Sequence, residues 1–459
     1  MEYDLIVVGA GSSGGAAAYI ASKEGLKTLL IERGKESGDK STQASGLVPV
    51  FWNEEPLRKL VEEIRDSIPV VSSERRGGAA YHYVDRNNEV VFEYMYRPPG
   101  EGFKVGYSCK LCDFNKEISR RAVMEGAELR TSCTVVDVIR KDNQVCGILT
   151  ENGEEIHGKM VIGADGTYSI IAKKTGLLTK WKENEVILGY AETFKMAEED
   201  IEEAFEGLMH CFFGPNVQAY AGHANWSCIR AGGGVQFCVL AYLYQVNRNL
   251  KWYLENLYKL KTVRRLMEKA EGFPGKPIQK SATTMPYLRY LEKLYTPGVM
   301  IVGDAAGQVD PFGMEGIHTG MAAGMFAAET AKEALEKGDF SEKTLVEYQK
   351  KWEVSEFAQR WVIGPEFFKA RAITRKDMGS SPLEQLVENM RLIGPPMMIG
   401  VPRSRKMSDI LSWQIATKLT YMINNYAPVI PKLLPDILYW MEEHTKSLKE
   451  KGVYIHPWY

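Results

Sequence analysis

Short apolar runs alternate along this chain with stretches of helical character. Asp4 to Val8 is an Ile/Val-rich run of strand length, the pattern of a strand buried on both faces of a parallel sheet. It runs into Gly9-Ala-Gly11-Ser-Ser-Gly14. The small-residue stretch from Gly15 to Lys23 then predicts a helix, and a second strand, Thr28 to Ile31, ends on Glu32. Between Cys133 and Lys159, Thr134-Val-Val-Asp-Val-Ile and Val145-Cys-Gly-Ile-Leu alternate as strands, with Asn152-Gly153 as a hairpin turn signal. Met160 to Ile162 predicts a strand leading through Ala164-Asp165-Gly166 to a helix from Ser169. Gly298 to Gly307 predicts another, ending in Gly303-Asp304, and a glycine-rich run from Gly313 to Gly324 opens a helix. Tyr220 to Val235 predicts two strands across a turn. From about Ser341 the pattern turns helical: Leu345 to Phe357, Trp413 to Tyr426 and Val429 to Trp440 are amphipathic. They are separated by Gly364-Pro365, a basic stretch from Lys369 to Lys376, and a proline-broken apolar segment, Leu392 to Pro402.

Composition narrows the class. The chain has 459 residues, 45% hydrophobic and 25% charged, which is enough for a large core and two or three domains. A net charge of −2 with scattered basic residues gives no nucleic-acid footprint. Seven cysteines, an odd number in a chain of this size, do not form a disulfide framework and predict a reducing interior. The N-terminal apolar run is only strand length and flanked by Glu2 and Asp4, unlike a signal peptide. No apolar run reaches about 18 residues, so a transmembrane helix is not expected. The expected location is cytoplasmic, with peripheral contact on the inner face of the cell membrane left open.

The order strand, glycine loop, helix, strand, acid is the dinucleotide-binding arrangement, and each part has a physical task. Gly9 permits the tight turn, Gly11 lets backbone approach a pyrophosphate, and Gly14 lets the helix pack close to the sheet. The helix N-terminus offers unbonded N–H groups and the positive end of its dipole to phosphates. Glu32 lies where an acid accepts hydrogen bonds from a ribose. This first motif does not separate NAD from FAD. An acid at a strand's carboxyl end beside a glycine-rich helix start, as at Gly303-Asp304, suits a polyol chain and a second phosphate contact. Gly324 reads as a helix-packing residue. The seven histidines show no metal-ligand spacing, and no metal is expected.

The order GAGSSG, VIGADGTYS and IVGDAAGQVDPFGMEGIHTGMAAG resembles the flavoprotein monooxygenase-like superfamily. Within it, the chain is most similar to the geranylgeranyl reductases and the related electron-transfer-flavoprotein dehydrogenases, over roughly residues 1 to 350. The resemblance implies an α/β fold with a Rossmann-type FAD-binding domain (1–180 and 286–345), an inserted mixed-sheet substrate domain (181–285) and a helical C-terminal region (346–459). By the same resemblance, Gly9, Gly11, Gly14 and Glu32 hold the ADP half of FAD, Ser13 and Arg33 belong to the cofactor site, and Val135 meets the adenine through its backbone. Ala44, Lys110, Ala164, Asp165, Gly166 and Gly303 belong to the cofactor site. Asp304 bonds the ribitol, and Gly313, Gly316 and Ile317 lie along the isoalloxazine.

The implied reaction is reduction of isoprenoid carbon–carbon double bonds, with hydride from reduced flavin and protonation of the adjacent carbon. The substrate would be an isoprenoid lipid or a quinone, and the electron donor a ferredoxin or an electron-transfer flavoprotein. Two alternatives share the motifs: a dehydrogenase passing electrons between an electron-transfer flavoprotein and quinone or ferredoxin, and a flavin hydroxylase. The chain departs from the family pattern in three places. Where relatives carry a cysteine-glycine segment, this chain has Thr42 to Pro49, with Ala44 or Ser45 in place of the thiol. The Trp-x-Phe-Pro core of the substrate domain is absent from Tyr220 to Val235, and Lys110 replaces an arginine, keeping charge but losing the planar fork. Ser45, His318 or a tyrosine is left as proton donor, and His318 reads equally as a helix residue facing the sheet. Cys109 and Cys112 form a CxxC that reads either as ordinary residues beside the nucleotide or as a dithiol. The C-terminal third reads either as a helical cap or as a membrane or partner surface rich in Trp, Tyr and Met.

Overall fold

A computed structural model describes residues 2–39, 46–48, 56–72, 78–84, 87–96, 107–213, 216–217, 225–230, 233–243, 248–287, 289–309, 316–355 and 357–358. The chain begins with β1 (Tyr3–Val8), α1 (Ser12–Lys23) and β2 (Thr28–Ile31), then β3 (Gly46–Val48), α2 (Leu57–Arg65) and β4 (Val71–Ser72). Next come β5 (Gly78–Val84), β6 (Val90–Tyr96), β7 (Tyr107–Cys109), α3 (Leu111–Met124) and β8 (Glu128–Arg130). A meander follows: β9 (Val135–Lys141), β10 (Gln144–Thr150), β11 (Glu155–Gly163), then α4 (Ile170–Lys174). The middle of the chain holds β12 (Val186–Phe194), α5 (Glu198–Phe205), β13 (Leu208–Phe213), β14 (Asn225–Arg230), β15 (Gly234–Tyr242), α6 (Leu250–Leu257), α7 (Lys261–Leu266) and β16 (Gln279–Pro286). It returns through β17 (Tyr295–Thr296) and β18 (Val299–Ile301) to α8 (Ile317–Lys337) and α9 (Glu342–Val354).

The first sheet runs β17-β18-β11-β1-β2-β8, with β10 and β9 extending from β11. Neighbours from β18 to β8 are parallel. The chain leaves β1 for β2 on one side, while β11 lies on the other. Strand order therefore reverses at β1, and such a switch point opens a crevice outside the strands' carboxyl ends. The small residues of α1 have a direct cause. A Cβ on Gly15 would lie 2.5 Å from Ile118 of α3, and one on Gly324 of α8 would lie 2.4 Å from the Ser13 carbonyl. Helix α1 is thus walled on two sides, and its residues Gly14 to Ser22 are all buried. Gly324 is a packing residue, as expected. Asn152-Gly153 does turn β10 into β11, with Gly153 at φ +80°. A second turn, Asp142-Asn143 at φ +49° and +64°, joins β9 to β10.

The second sheet runs β16-β12-β15-β14-β13-β5-β6 and is antiparallel except for the β13–β5 pair. It therefore draws two strands, β5 and β6, from residues ahead of the 181–285 segment. Helices α5 to α7 share its core, where Phe194, Phe237, Tyr258 and Phe273 meet edge to face at 5.0–5.7 Å. The two connectors between the sheets are clipped together. Arg289 donates to both oxygens of Glu185 at 2.6 and 3.1 Å, and its guanidinium lies 5.1 Å over the Trp181 ring. The architecture is thus mixed α/β, with a parallel Rossmann-like sheet, a second and largely antiparallel sheet, and helices α8 and α9 toward the C-terminus. The helices expected at Trp413 to Tyr426 and Val429 to Trp440 lie outside the described residues. Among the described residues, no helix is long and apolar enough to cross a membrane.

Candidate cofactor-binding site

The motifs converge because each ends a parallel strand on the same side of the sheet. Gly9 follows β1, Glu32 follows β2, Ala164 follows β11, and Gly303-Asp304 follows β18. Gly9 is at φ +104°, where L side chains are strained, and a Cβ there would lie 2.3 Å from the Ala164 carbonyl. A Cβ on Gly14 would meet the Gly9 carbonyl at 1.9 Å. At Gly11 and Gly166 the space is open. The first and third glycines of the loop are therefore demanded by the protein itself, whereas Gly11 leaves a cradle.

Helix α1 starts without a side-chain cap and without an acid in its first turn. Its first intrahelical bond is Gly15 N–H to Gly11 C=O at 2.8 Å, so the amides before it have no partner inside the helix. Those amides suit an anion. Ser13 stands between two motifs: a Cβ on Gly303 or on Gly320 would each lie 2.2 Å from its Oγ. Glu32 is buried, and its carboxylate accepts from Ala10 N–H at 3.2 Å and Gly34 N–H at 2.6 Å. Cys133 N–H donates to the Glu32 carbonyl at 3.0 Å and Ser132 N–H to that of Gly34 at 2.7 Å. These bonds carry the chain past Glu32 to Val135, buried at the start of β9.

Asp304 and Asp165 differ in kind. Asp165 accepts from Ser169 Oγ at 2.5 Å and from the amides of Ile170 and Ile171 at 2.6 and 3.2 Å. Its carboxylate is engaged in holding the start of α4, although burial still drives its carboxyl up. What it offers the cradle is backbone next to Gly9. Asp304 receives no donor among the described residues. It keeps a window to solvent, yet burial pushes its carboxyl up to about 6. A Cβ on Gly316 would come within 3.0 Å of Asp304 Oδ1, so the start of α8 abuts this carboxylate. An acceptor with no donor among the described residues, facing an opening, is chemically complementary to a hydroxyl chain.

Arg33 is exposed, and Lys110 is half-buried as the N-cap of α3. The loop after β2 packs on that helix start, where a Cβ on Gly38 would lie 2.4 Å from the Cys112 carbonyl. Ile317 opens α8, and His318 beside it is buried with its ring 6.0 Å from that of Phe357. Ala44, Ser45 and Gly313 lie outside the described residues. Cys109 is buried in β7 and Cys112 lies in the first turn of α3, both as thiols. Sequence reading passed over Gly320, which a four-residue glycine spacing from Gly316 marks, and over Gln308, whose partners are distant in the chain.

The profile of the FAD dependent oxidoreductase family matches residues 4–226. Protein FixC of Escherichia coli strain K12 is 28% identical over 363 residues, covering 76% of this chain and 80% of FixC. Digeranylgeranylglycerophospholipid reductase of Methanocaldococcus jannaschii is 30% identical over 363 residues, covering 76% of this chain and 82% of the reductase. The chain belongs to the family of FAD-dependent oxidoreductases. Two solved structures share its fold. A geranylgeranyl bacteriochlorophyll reductase-like protein from Thermoplasma acidophilum superimposes with a TM-score of 0.66 at 22% identity, over 95% of this chain and 99% of that one. The flavin-dependent brominase Bmp2 does so with a TM-score of 0.63 at 18% identity, over 92% and 100%. As a member of the FAD-dependent oxidoreductases, this flavoprotein takes FAD as its cofactor. The uncapped α1 N-terminus, the open space at Gly11 and Asp304, which receives no donor among the described residues, fit that molecule's pyrophosphate and polyol.

Proposed function

We propose that this oxidoreductase reduces carbon–carbon double bonds of an isoprenoid lipid or polyprenyl substrate. The similarity to a digeranylgeranylglycerophospholipid reductase, 30% over 82% of that enzyme, carries the reading. Bound FAD supplies the hydride chemistry, and the protein supplies orientation, exclusion of water and a proton. The backbone around Gly9, Gly11, Ser13 and Gly14 holds the pyrophosphate against α1. Glu32 accepts from the ribose, and Val135 meets the adenine. Arg33 and Lys110 supply positive charge at the rim. Ala164, Asp165 and Gly166 wall the cradle through backbone, and Asp304, on its Gly303 turn, accepts from the ribitol. Gly316 and Ile317 face the ring system with the positive end of α8, and Gly313, three residues ahead in the sequence, is assigned to the same part of the site. His318 and Ser45 are the proposed proton sources, and Ala44 belongs to the same segment as Ser45. A ferredoxin or electron-transfer flavoprotein is the proposed electron donor, and peripheral membrane contact is the proposed route to a lipid.

The test is chemical. Dithionite-reduced protein mixed with a geranylgeranyl lipid should yield products heavier by two hydrogens per double bond in mass spectrometry. No mass gain, together with quinone reduction driven by an electron-transfer flavoprotein, would replace this reading with the electron-transfer one. Oxygen consumption with a hydroxylated product would replace it with hydroxylation.

A further inference from the structure

Asp304 has no side-chain bond within the described protein to fix its direction, so its position is set by its backbone. That backbone is a tight turn: Ala306 N–H and Gln308 N–H both donate to the Gly303 carbonyl, at 2.9 and 3.0 Å, and Gly307 N–H donates to that of Asp304 at 3.1 Å. Gly303 is at φ +64°. Its own N–H donates to a side-chain atom, Gln308 Oε1, at 2.8 Å.

Gln308 has no solvent exposure. Its Nε2 donates to Tyr348 Oη at 3.1 Å, and that hydroxyl donates to the Ile301 carbonyl at 2.8 Å. In the shorter bonds the amide oxygen accepts, the amide nitrogen donates, and the tyrosine hydroxyl accepts once and donates to Ile301, while it also lies 3.4 Å from Gln308 Oε1. Thr319 Oγ1 donates to the Gln308 carbonyl at 2.6 Å. One buried residue therefore ties the end of β18, the turn carrying Asp304, the first turn of α8 and the middle of α9.

We propose that Gln308, seated by Tyr348, is a positioning residue that aims the Asp304 carboxylate at the ribitol–isoalloxazine half of FAD. This rests on the assignment of Asp304 to the ribitol. The ADP half is held elsewhere, by the β1–α1 loop and Glu32, and Gln308 touches neither. Loss of Gln308 is therefore expected to fall chiefly on the half of the cofactor that Asp304 meets.

The experiment measures binding of FAD and of ADP to the full-length apoprotein, for Gln308→Met, Tyr348→Phe, Asp304→Ala and the Gln308→Met/Asp304→Ala double variant. Methionine keeps the volume and removes both amide bonds. Gln308→Met is expected to weaken FAD about tenfold, the scale of one buried hydrogen-bonded group, and to leave ADP within about twofold. Tyr348→Phe, which removes a single hydroxyl, is expected to give the same pattern with a smaller loss. ADP binding also reports that each variant has folded. Because Gln308 acts through Asp304, the double variant should bind FAD no worse than Asp304→Ala. Equal losses for ADP and FAD, or additive losses in the double variant, would make Gln308 a scaffold residue and overturn the proposal. Unchanged FAD binding in Asp304→Ala would overturn the ribitol assignment itself, a separate failure visible without any Gln308 variant.

Discussion

Asp304 stands among buried groups with no donor from the described protein, and its behaviour with pH follows. Its carboxyl is raised from 3.8 to about 6 by burial. The folded apoprotein therefore holds this proton more tightly than the unfolded chain does. The group costs nothing below about pH 4 and costs stability as pH rises through about 6. Hydroxyl donors favour the ionised form, so FAD affinity is expected to fall as pH drops below about 6. Asp304→Asn should abolish that slope in a binding titration; a slope that persists would assign it to another group. Asp304→Ala is expected to lose at least about tenfold in FAD affinity, read as flavin retained through purification. Gly11 and Gly14 separate ligand from fold at the same scale. Gly11 lies at φ −77° with open space around its absent Cβ, whereas a Cβ on Gly14 would sit 1.9 Å from the Gly9 carbonyl. Gly11→Ala should leave the apoprotein's melting temperature nearly unchanged and weaken FAD. Gly14→Ala should lower both, because backbone must move.

Among elements, α1 and α8 are the pair on which the cradle depends. Gly320 and Gly324 let α8 approach Ser13 and Ala17. Gly324→Ala is expected to destabilise the apoprotein by about 1–3 kcal/mol through overpacking against backbone, measured by denaturant titration. The strands and glycine turns of this half are legible in the sequence because their causes are local: a short apolar run makes β1, and the turn after it admits only glycine. Gly324 is legible for the same reason. Asp165 is less so, since an acid after a strand reads alike whether it faces a ligand or caps α4. Gln308 is not legible at all. Its partners Gly303, Thr319 and Tyr348 are 5, 11 and 40 residues away, so its bonds exist only once β18, α8 and α9 have met. The β13–β5 pairing is hidden similarly, because alternation along a strand states which face is buried and not which strand lies beside it.

At the scale of the molecule, the second sheet carries an acid-sensitive core. His82 Nδ1 lies 2.8 Å from Glu93 Oε1, and its Nε2 lies 2.8 Å from His210 Nδ1. Burial pushes both imidazoles down, His210 to about 3. The folded state binds fewer protons here than the unfolded chain, so this contribution is present at neutral pH and lost as pH falls from 6.5 toward 3. The melting temperature is expected to drop between pH 7 and pH 4.5, and to drop less in His210→Asn. An identical drop in both proteins would place the sensitivity elsewhere. The order of the first sheet has a consequence for synthesis. β18 starts at residue 299 but pairs with β11, and α8 covers α1, a helix made about 300 residues earlier. A nascent chain that stops short of Val299 has the glycine loop and Glu32, yet lacks Asp304 and leaves the small-residue face of α1 bare. If Asp304 holds the ribitol as proposed, flavin capture is expected to be a late event on the ribosome. Chains arrested before β18 should need shielding from aggregation, and only those extended past α8 should leave the ribosome yellow.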